Sequence, residues 1–407
     1  MSGPLEGVRI IDVTTVLMGP YATQILADQG ADVVKVEPPG GDNVRGIGPC
    51  RHPDMGGIFL HANRGKRSIV LDLKQPEGRQ ALLQLAATAD VLVYNVRPQA
   101  MARLGLGYEE VAAANPDILY VGVYGFDQRG PYAAKAAYDD LIQGAVGIPF
   151  LSMQAGGETP RYAPSAIADR VVGISAAQAI TAGLYHRART GRGQAIDVPM
   201  FETMAQLVLG DHLGGSSFDP PLGPPGYPRI LNPDRRPYAT RDGHICVLIY
   251  SDKQWASFFA LIGRPEVYRD DPRFRDIGTR TRHIREIYRL VAEVLATRTT
   301  DYWLQALEDA DIPAMPMNSL DDLLRDPHRQ AIGFFEAVDH PTEGRLRTMA
   351  MAAQWSRTPP GKPRPAPRLG QHSVEILKEA GYGDAHIAAL LRQRVTAAND
   401  TNEPSPS

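Results

Sequence analysis

Asp169 is the residue whose type and position could do the most chemistry. It sits in Ala166-Ile167-Ala168-Asp169-Arg170, at the head of an apolar run through Val171, Val172, Ile174, Ala177, Ile180 and Leu184 that reads as one long helix. The run closes on Arg187, Arg189, Gly191 and Gly193, a basic last turn followed by glycine punctuation. A carboxylate in a first helical turn lies at the positive end of the helix dipole, which favours its ionised form. Taken alone, such an aspartate is more often a cap than a nucleophile. The second set of candidates is cationic: Arg45, Arg51, Arg64, Lys66, Arg67, Lys74, Arg97 and Arg103. Several follow expected strand ends, where open α/β sheets place ligands, and arginine forks suit phosphate groups. For any one of these cations, an ordinary solvated surface charge is the commoner outcome.

The elements that must position these residues alternate. Residues 8–13, 32–36, 68–73, 90–95 and 118–124 read as buried strands. Residues 20–29, 76–89 and 108–115 read as helices between them. This is βαβ logic and implies a parallel sheet covered by helices. The first connection carries Gly19-Pro20 without G-x-G-x-x-G, so a Rossmann-like fold that binds no dinucleotide is expected. Residues 214–237 are rich in Pro and Gly and read as a linker. Beyond it come a hairpin turning at Asp242-Gly243, helices near residues 255–262, 282–297 and 301–310, and another at 320–325. The expected organisation is an α/β fold. A large domain's N-terminal part spans 1–213, a smaller α+β domain about 225–325, and a return linker with the rest of the large domain 326–396. Residues 335–355 read as strands turning at Glu343-Gly344, and 397–407 as a disordered polar tail.

Among 407 residues, 43 Lys+Arg against 46 Asp+Glu give a formal net charge of −3, which argues against a nucleic-acid binder. Cys50 and Cys246 make no disulfide framework and match no metal spacing. No signal peptide and no uncharged run of membrane-spanning length is visible, so a cytoplasmic protein with no membrane partner is expected. There is no H-E-x-x-H, P-loop or G-x-S-x-G motif. Arg235-Arg236-Pro237-Tyr238 is either an acid-binding or a linker feature.

Tyr138-Asp139, Ala168-Asp169 and Arg189-Thr190-Gly191-Arg192-Gly193-Gln194 together resemble the class III coenzyme A transferases, the formyl-CoA and carnitine CoA-transferase type. The likeness extends, in family order, through Pro4-Leu5-Glu6-Gly7-Val8-Arg9-Ile10-Ile11-Asp12, Gly19-Pro20 and Gly30-Ala31-Asp32-Val33-Val34-Lys35-Val36-Glu37. It continues with Asn63-Arg64-Gly65-Lys66-Arg67-Ser68-Ile69, Asn95-Val96-Arg97-Pro98, Gly130-Pro131-Tyr132, Ile312-Pro313-Ala314 and Leu369-Gly370-Gln371-His372. The resemblance implies an interlocked homodimer that binds no permanent cofactor and moves CoA from an acyl-CoA to a free carboxylic acid. It makes Asp169 the nucleophile. Expected CoA contacts are Leu17, Met18, Leu71, Asp72, Leu73, Lys74, Asn95, Val96, Arg97, Arg103, Ala136, Ala137, Tyr138 and Asp139.

Two departures stand out. Pro38 occupies a position where several relatives carry a basic residue, leaving Arg45 or another group to supply that charge. The glycine-rich gating loop of some relatives has only Gly223-Pro224-Pro225-Gly226 as a counterpart. Three alternatives remain open at this level. One is a 2-methylacyl-CoA racemase, which needs a histidine where this chain has Tyr138. The others are a non-catalytic CoA-binding protein and, less favoured, a dinucleotide-dependent dehydrogenase.

Overall fold

Residues 2–399 are described by a computed structural model. They divide into two compact units: 2–146 with 163–207 and 331–399, and 147–162 with 208–330. Residues 400–407 of the expected tail lie outside the described residues.

The larger unit is built on six parallel strands: β1 (Arg9–Val13), β2 (Asp32–Glu37), β3 (Lys66–Val70), β4 (Val91–Tyr94), β5 (Leu119–Tyr124) and β6 (Gln194–Pro199). Their order is β3-β2-β1-β4-β5-β6, the doubly wound order in which chain direction across the sheet reverses between β1 and β4. The strands are Val/Ile-rich because both faces are covered. One face carries Ile11, Val13, Val34, Val36, Ile69 and Leu71 into an apolar cluster. That cluster is completed by α3 (Pro76–Ala86), α5 (Tyr108–Ala114) and two C-terminal helices, Ser373–Glu379 and Asp384–Arg392.

Strand alternation sends Asp12, Lys35, Glu37, Lys66 and Ser68 to the opposite face. All are buried there. Parallel register makes Asp12 and Lys35 Cα partners, and Lys35 and Ser68 likewise. Over this region lie α1 (Met18–Asp28), α2 (Gly57–Ala62) and the 24-residue α8 (Ile167–Thr190). The other helices up to residue 212 are α4 (Pro98–Arg103), α6 (Asp139–Ala145), α7 (Ile148–Gln154), which belongs to the smaller unit, and α9 (Met200–His212). The hairpin Phe335–His340 and Gly344–Met349 also belongs to the larger unit.

The smaller unit holds a three-stranded sheet of Tyr238–Ala239, His244–Val247 and Ala314–Pro316. Its core gathers Trp255, Phe258, Phe259, Phe274 and Trp303 under amphipathic helices such as Ile284–Leu295. Residues 214–237, expected as a linker, fall inside this unit, as does α7. No helix among the described residues is long and apolar enough to cross a membrane.

Candidate active site

The loop joining β1 to α1 lies at the reversal of strand order, the place where open α/β sheets bind ligands. Three consecutive residues of it are tied down. Lys35 Nζ donates to Thr14 O (3.0 Å). Asn95, just beyond β4, accepts from Thr15 N (3.0 Å) and donates to Thr15 O (2.7 Å), closing the two lips of the crevice on each other. Val16 N donates to the Asp42 carboxylate (3.0 and 3.2 Å). Val16 is left-handed at φ 69°, a conformation that costs a β-branched residue about 1–2 kcal/mol and persists only where its surroundings over-determine it.

Asp169 occupies the first turn of α8, whose N-cap is Ala166 and offers no side-chain cap. The missing cap is supplied from another helix: Asp139 Oδ1 accepts from Asp169 N at 2.9 Å. Asp139 is itself held by Gln143 Nε2 (2.5 Å), and Gln143 Oε1 accepts from Ala163 N (2.9 Å). Four residues after Asp169, and so on the same helix face, a Cβ on Gly173 would lie 2.8 Å from Met18 O and 3.0 Å from the Tyr21 ring. The helix face bearing Asp169 therefore packs against the start of α1. Arg170 stacks on Tyr21 at 4.3 Å. At its far end α8 stops on Gly191 at φ 70°, whose N–H donates to Arg187 O (2.8 Å).

The helix-dipole expectation for Asp169 is overturned. Burial, then the neighbouring Asp139 carboxylate, push its pKa up to about 6, with Arg170 opposing only in part. At pH 7 it is still mostly ionised, and it is more basic than an ordinary aspartate.

Asn95 is hydrogen-bonded to the β1–α1 loop at Thr15, and the helix turn after Asp169 packs on Met18, whose side chain, like that of Leu17, is buried. Arg97 Nη1 donates to Ala134 O (3.2 Å), and Ala137 packs where a Cβ on Gly125 would lie 2.4 Å from it, so the segment of Ala136, Ala137, Tyr138 and Asp139 borders the residues that follow β4 and β5. Tyr138 is 66% exposed. Leu71, Asp72, Leu73 and Lys74 instead follow β3, two strands from β1. The Leu71 side chain is part of the apolar core, leaving its backbone as the only group it could offer a ligand. Arg103 is exposed at the end of α4.

The cation cluster read from sequence separates into two kinds. Arg45 is buried, bidentate to Glu37 (2.7 Å twice), and lies over Phe59 at 3.7 Å, so it cannot supply the charge missing at Pro38. Arg64 is paired with Asp28, Lys66 with Asp12, Arg67 with Asp32 and Glu379, and Arg51 Nη1 donates to Glu343 O. Lys74, Arg97 and Arg103 remain exposed. Sequence reading missed Asp42, which caps the short turn at Asn43–Gly46, and the buried role of Lys35, whose charge inside an apolar strand was the available signal.

The chain belongs to CoA-transferase family III, whose sequence model matches residues 5–373. It is 36% identical to the succinate–glutarate CoA-transferase of Agrobacterium fabrum, over 92% of this chain and 95% of that protein. It is 32% identical to the succinyl-CoA:glutarate CoA-transferase of Homo sapiens, over 98% of this chain and 91% of that one. The crystal structure of a CAIB/BAIF family protein from Brucella suis shares the fold with TM-score 0.78 at 30% identity, covering 93% of this chain and all of that one (100%). The protein is thus an enzyme that takes CoA thioesters and carboxylic acids as substrates.

Proposed function

We propose that CoA moves between two carboxylic acids by way of Asp169 acyl intermediates. A carboxylate oxygen of Asp169 attacks the thioester carbon of the bound acyl-CoA. The C–S bond breaks, leaving a mixed anhydride and CoA thiolate. The thiolate attacks the Asp169 carbonyl carbon, the anhydride C–O bond breaks, the donor acid leaves as carboxylate, and an aspartyl-CoA thioester remains. The acceptor carboxylate attacks that carbonyl and expels thiolate, giving a second anhydride. The thiolate then attacks the acceptor's acyl carbon, which yields the new acyl-CoA and frees the Asp169 carboxylate. No net proton is gained or lost.

The observation that carries this reading is Asp169 itself: half-buried, at a helix head packed against the start of α1, with its pKa pushed up to about 6. That value leaves about nine in ten molecules ionised at pH 7, so no separate base is needed, while the raised basicity strengthens the nucleophile. Partial burial limits attack by water on the anhydride. On this reading Arg97 and Arg103 face CoA phosphates, and the larger unit is the CoA-binding domain. Exposed apolar residues on α8, Ile174 (53%) and Tyr185 (64%), support a homodimer, which we propose to be interlocked.

The names of the relatives make short dicarboxylates the first acids to test. The experiment is a mass-spectrometric panel of acyl-CoA donors against free acids, with the native protein and Asp169→Ala. CoA exchange by the native protein alone supports the reading; equal exchange by both would overturn it.

A further inference from the structure

We propose that the buried Asp42 carboxylate is a positioning residue for CoA binding: it holds the β1–α1 loop, through the left-handed Val16, in its binding shape before the ligand arrives. This rests on the proposed CoA-transferase reading, with CoA taken to meet the β1–α1 loop at Leu17 and Met18 as the family resemblance implies.

Asp42 gains nothing from solvent. It is 2% exposed and pairs with the Lys35 ammonium, at 2.9 Å and fully buried. The same carboxylate accepts the Val16 N–H (3.0 and 3.2 Å) and the Val44 N–H (3.1 Å). The Lys35 ammonium reaches past it to Thr14 O at 3.0 Å. One ion pair therefore grips the loop on both sides of Thr15, which Asn95 holds from the other lip. An apolar pair would fill this interior with less desolvation, so a simple need for stability does not explain the ions. The strained residue they fix is a β-branched valine at φ 69°, immediately before Leu17. Strain retained at a ligand crevice when a glycine would relieve it fits a loop shaped in advance, which saves the ordering that binding would otherwise require.

Two pair replacements separate anchoring from stability. Lys35→Met/Asp42→Leu removes both charges and the acceptor for Val16 N–H, leaving the Asp12–Lys66 pair in place. Lys35→Met/Asp42→Asn removes the same charges but keeps an acceptor. The leucine variant should bind CoA about tenfold more weakly, the weight of fixing roughly one residue's backbone, with KM for acyl-CoA raised and kcat little changed. The asparagine variant should stay within about threefold of the native protein. Adding Val16→Gly to the leucine variant should recover most of the loss.

Should the leucine variant not fold, hydrogen exchange on the native protein decides. Segment 14–17 should be as protected without CoA as with it, and a gain of more than about tenfold on adding CoA would overturn the proposal. It also falls if the leucine variant binds CoA within twofold of the native protein while Arg97→Ala weakens. If Arg97→Ala and Asn95→Ala leave CoA affinity unchanged as well, the placement of CoA at this crevice fails and takes the positioning role with it.

Discussion

Asp12 lies beneath the sheet, wholly out of solvent, whereas Asp169 stands half-buried at the head of α8. Burial alone would raise the Asp12 carboxyl, but Lys66 (2.9 Å) and Lys35, with the Thr14 and Thr23 hydroxyls, more than offset it and hold the pKa near 2. Asp169 ends higher, at about 6, because its burial, reinforced by the Asp139 carboxylate, is opposed only in part by Arg170. The difference lies in the partners each fold position supplies. A fully compensated charge becomes inert framework, and an under-compensated one keeps reactivity.

The largest effect that sharpens this contrast is on turnover. Asp169→Asn keeps size and shape but removes the nucleophile, and kcat should fall by at least about 10⁴-fold, measured by acyl-CoA exchange. Asp12→Asn should act on stability instead. It leaves Lys66 buried without its counter-charge, and denaturant titration should show a loss of about 3–5 kcal/mol.

Stability should respond to pH in opposite senses at the two sites. Asp12 has a depressed native pKa, so its contribution is present above the unfolded value of 3.8 and is lost as pH falls toward 2. Asp169 has a raised one. Its protonated form is favoured by folding, so that stabilisation is full below 3.8 and is lost as pH rises through about 6. Asp169→Asn, a neutral mimic, should therefore stabilise the protein by roughly 2 kcal/mol at pH 7 and by almost nothing at about pH 3, below the unfolded value. Thermal melts at both pH values would check the sign. In the native enzyme kcat/KM should rise with pH through about 6 as Asp169 ionises.

Among the cations, Arg97→Ala should weaken CoA binding by roughly tenfold with little loss of stability. Arg45→Ala should do the reverse, since its guanidinium is already spent on Glu37. The smallest expected effect distinguishes acyl transfer from racemisation. With a 2-methylacyl-CoA in deuterated water, no enzyme-dependent deuterium should enter the carbon beside the thioester. Catalytic uptake there would revive the isomerase reading and direct attention to Tyr138.

Much of the frame was legible because its signals are local. The five apolar runs became β1–β5 with ends shifted by a few residues, and Gly191 ended α8 as its place after a basic turn implies. Strand β6 escaped notice. In Gln194–Pro199 only Ala195, Ile196 and Val198 are apolar between polar residues, and as an edge strand it needs less of a buried run. Asp169 was legible as a candidate through its neighbours in sequence, but its pKa was not. That depends first on burial in the folded chain and then on Asp139, thirty residues earlier, arriving at its backbone N–H. The cation cluster misled for the same reason. Whether Arg45 or Lys66 faces a ligand or a carboxylate is decided by cross-strand register and by loops folding back, and no local pattern reports it.

Acylation of Asp169 during turnover can be caught by chemical trapping. The native enzyme is incubated with acyl-CoA and hydroxylamine, digested, and its peptides weighed. A hydroxamate should form at Asp169, dependent on acyl-CoA and matched by loss of activity. Sustained turnover in hydroxylamine with Asp169 unmodified, or a hydroxamate only at another carboxylate, would contradict it.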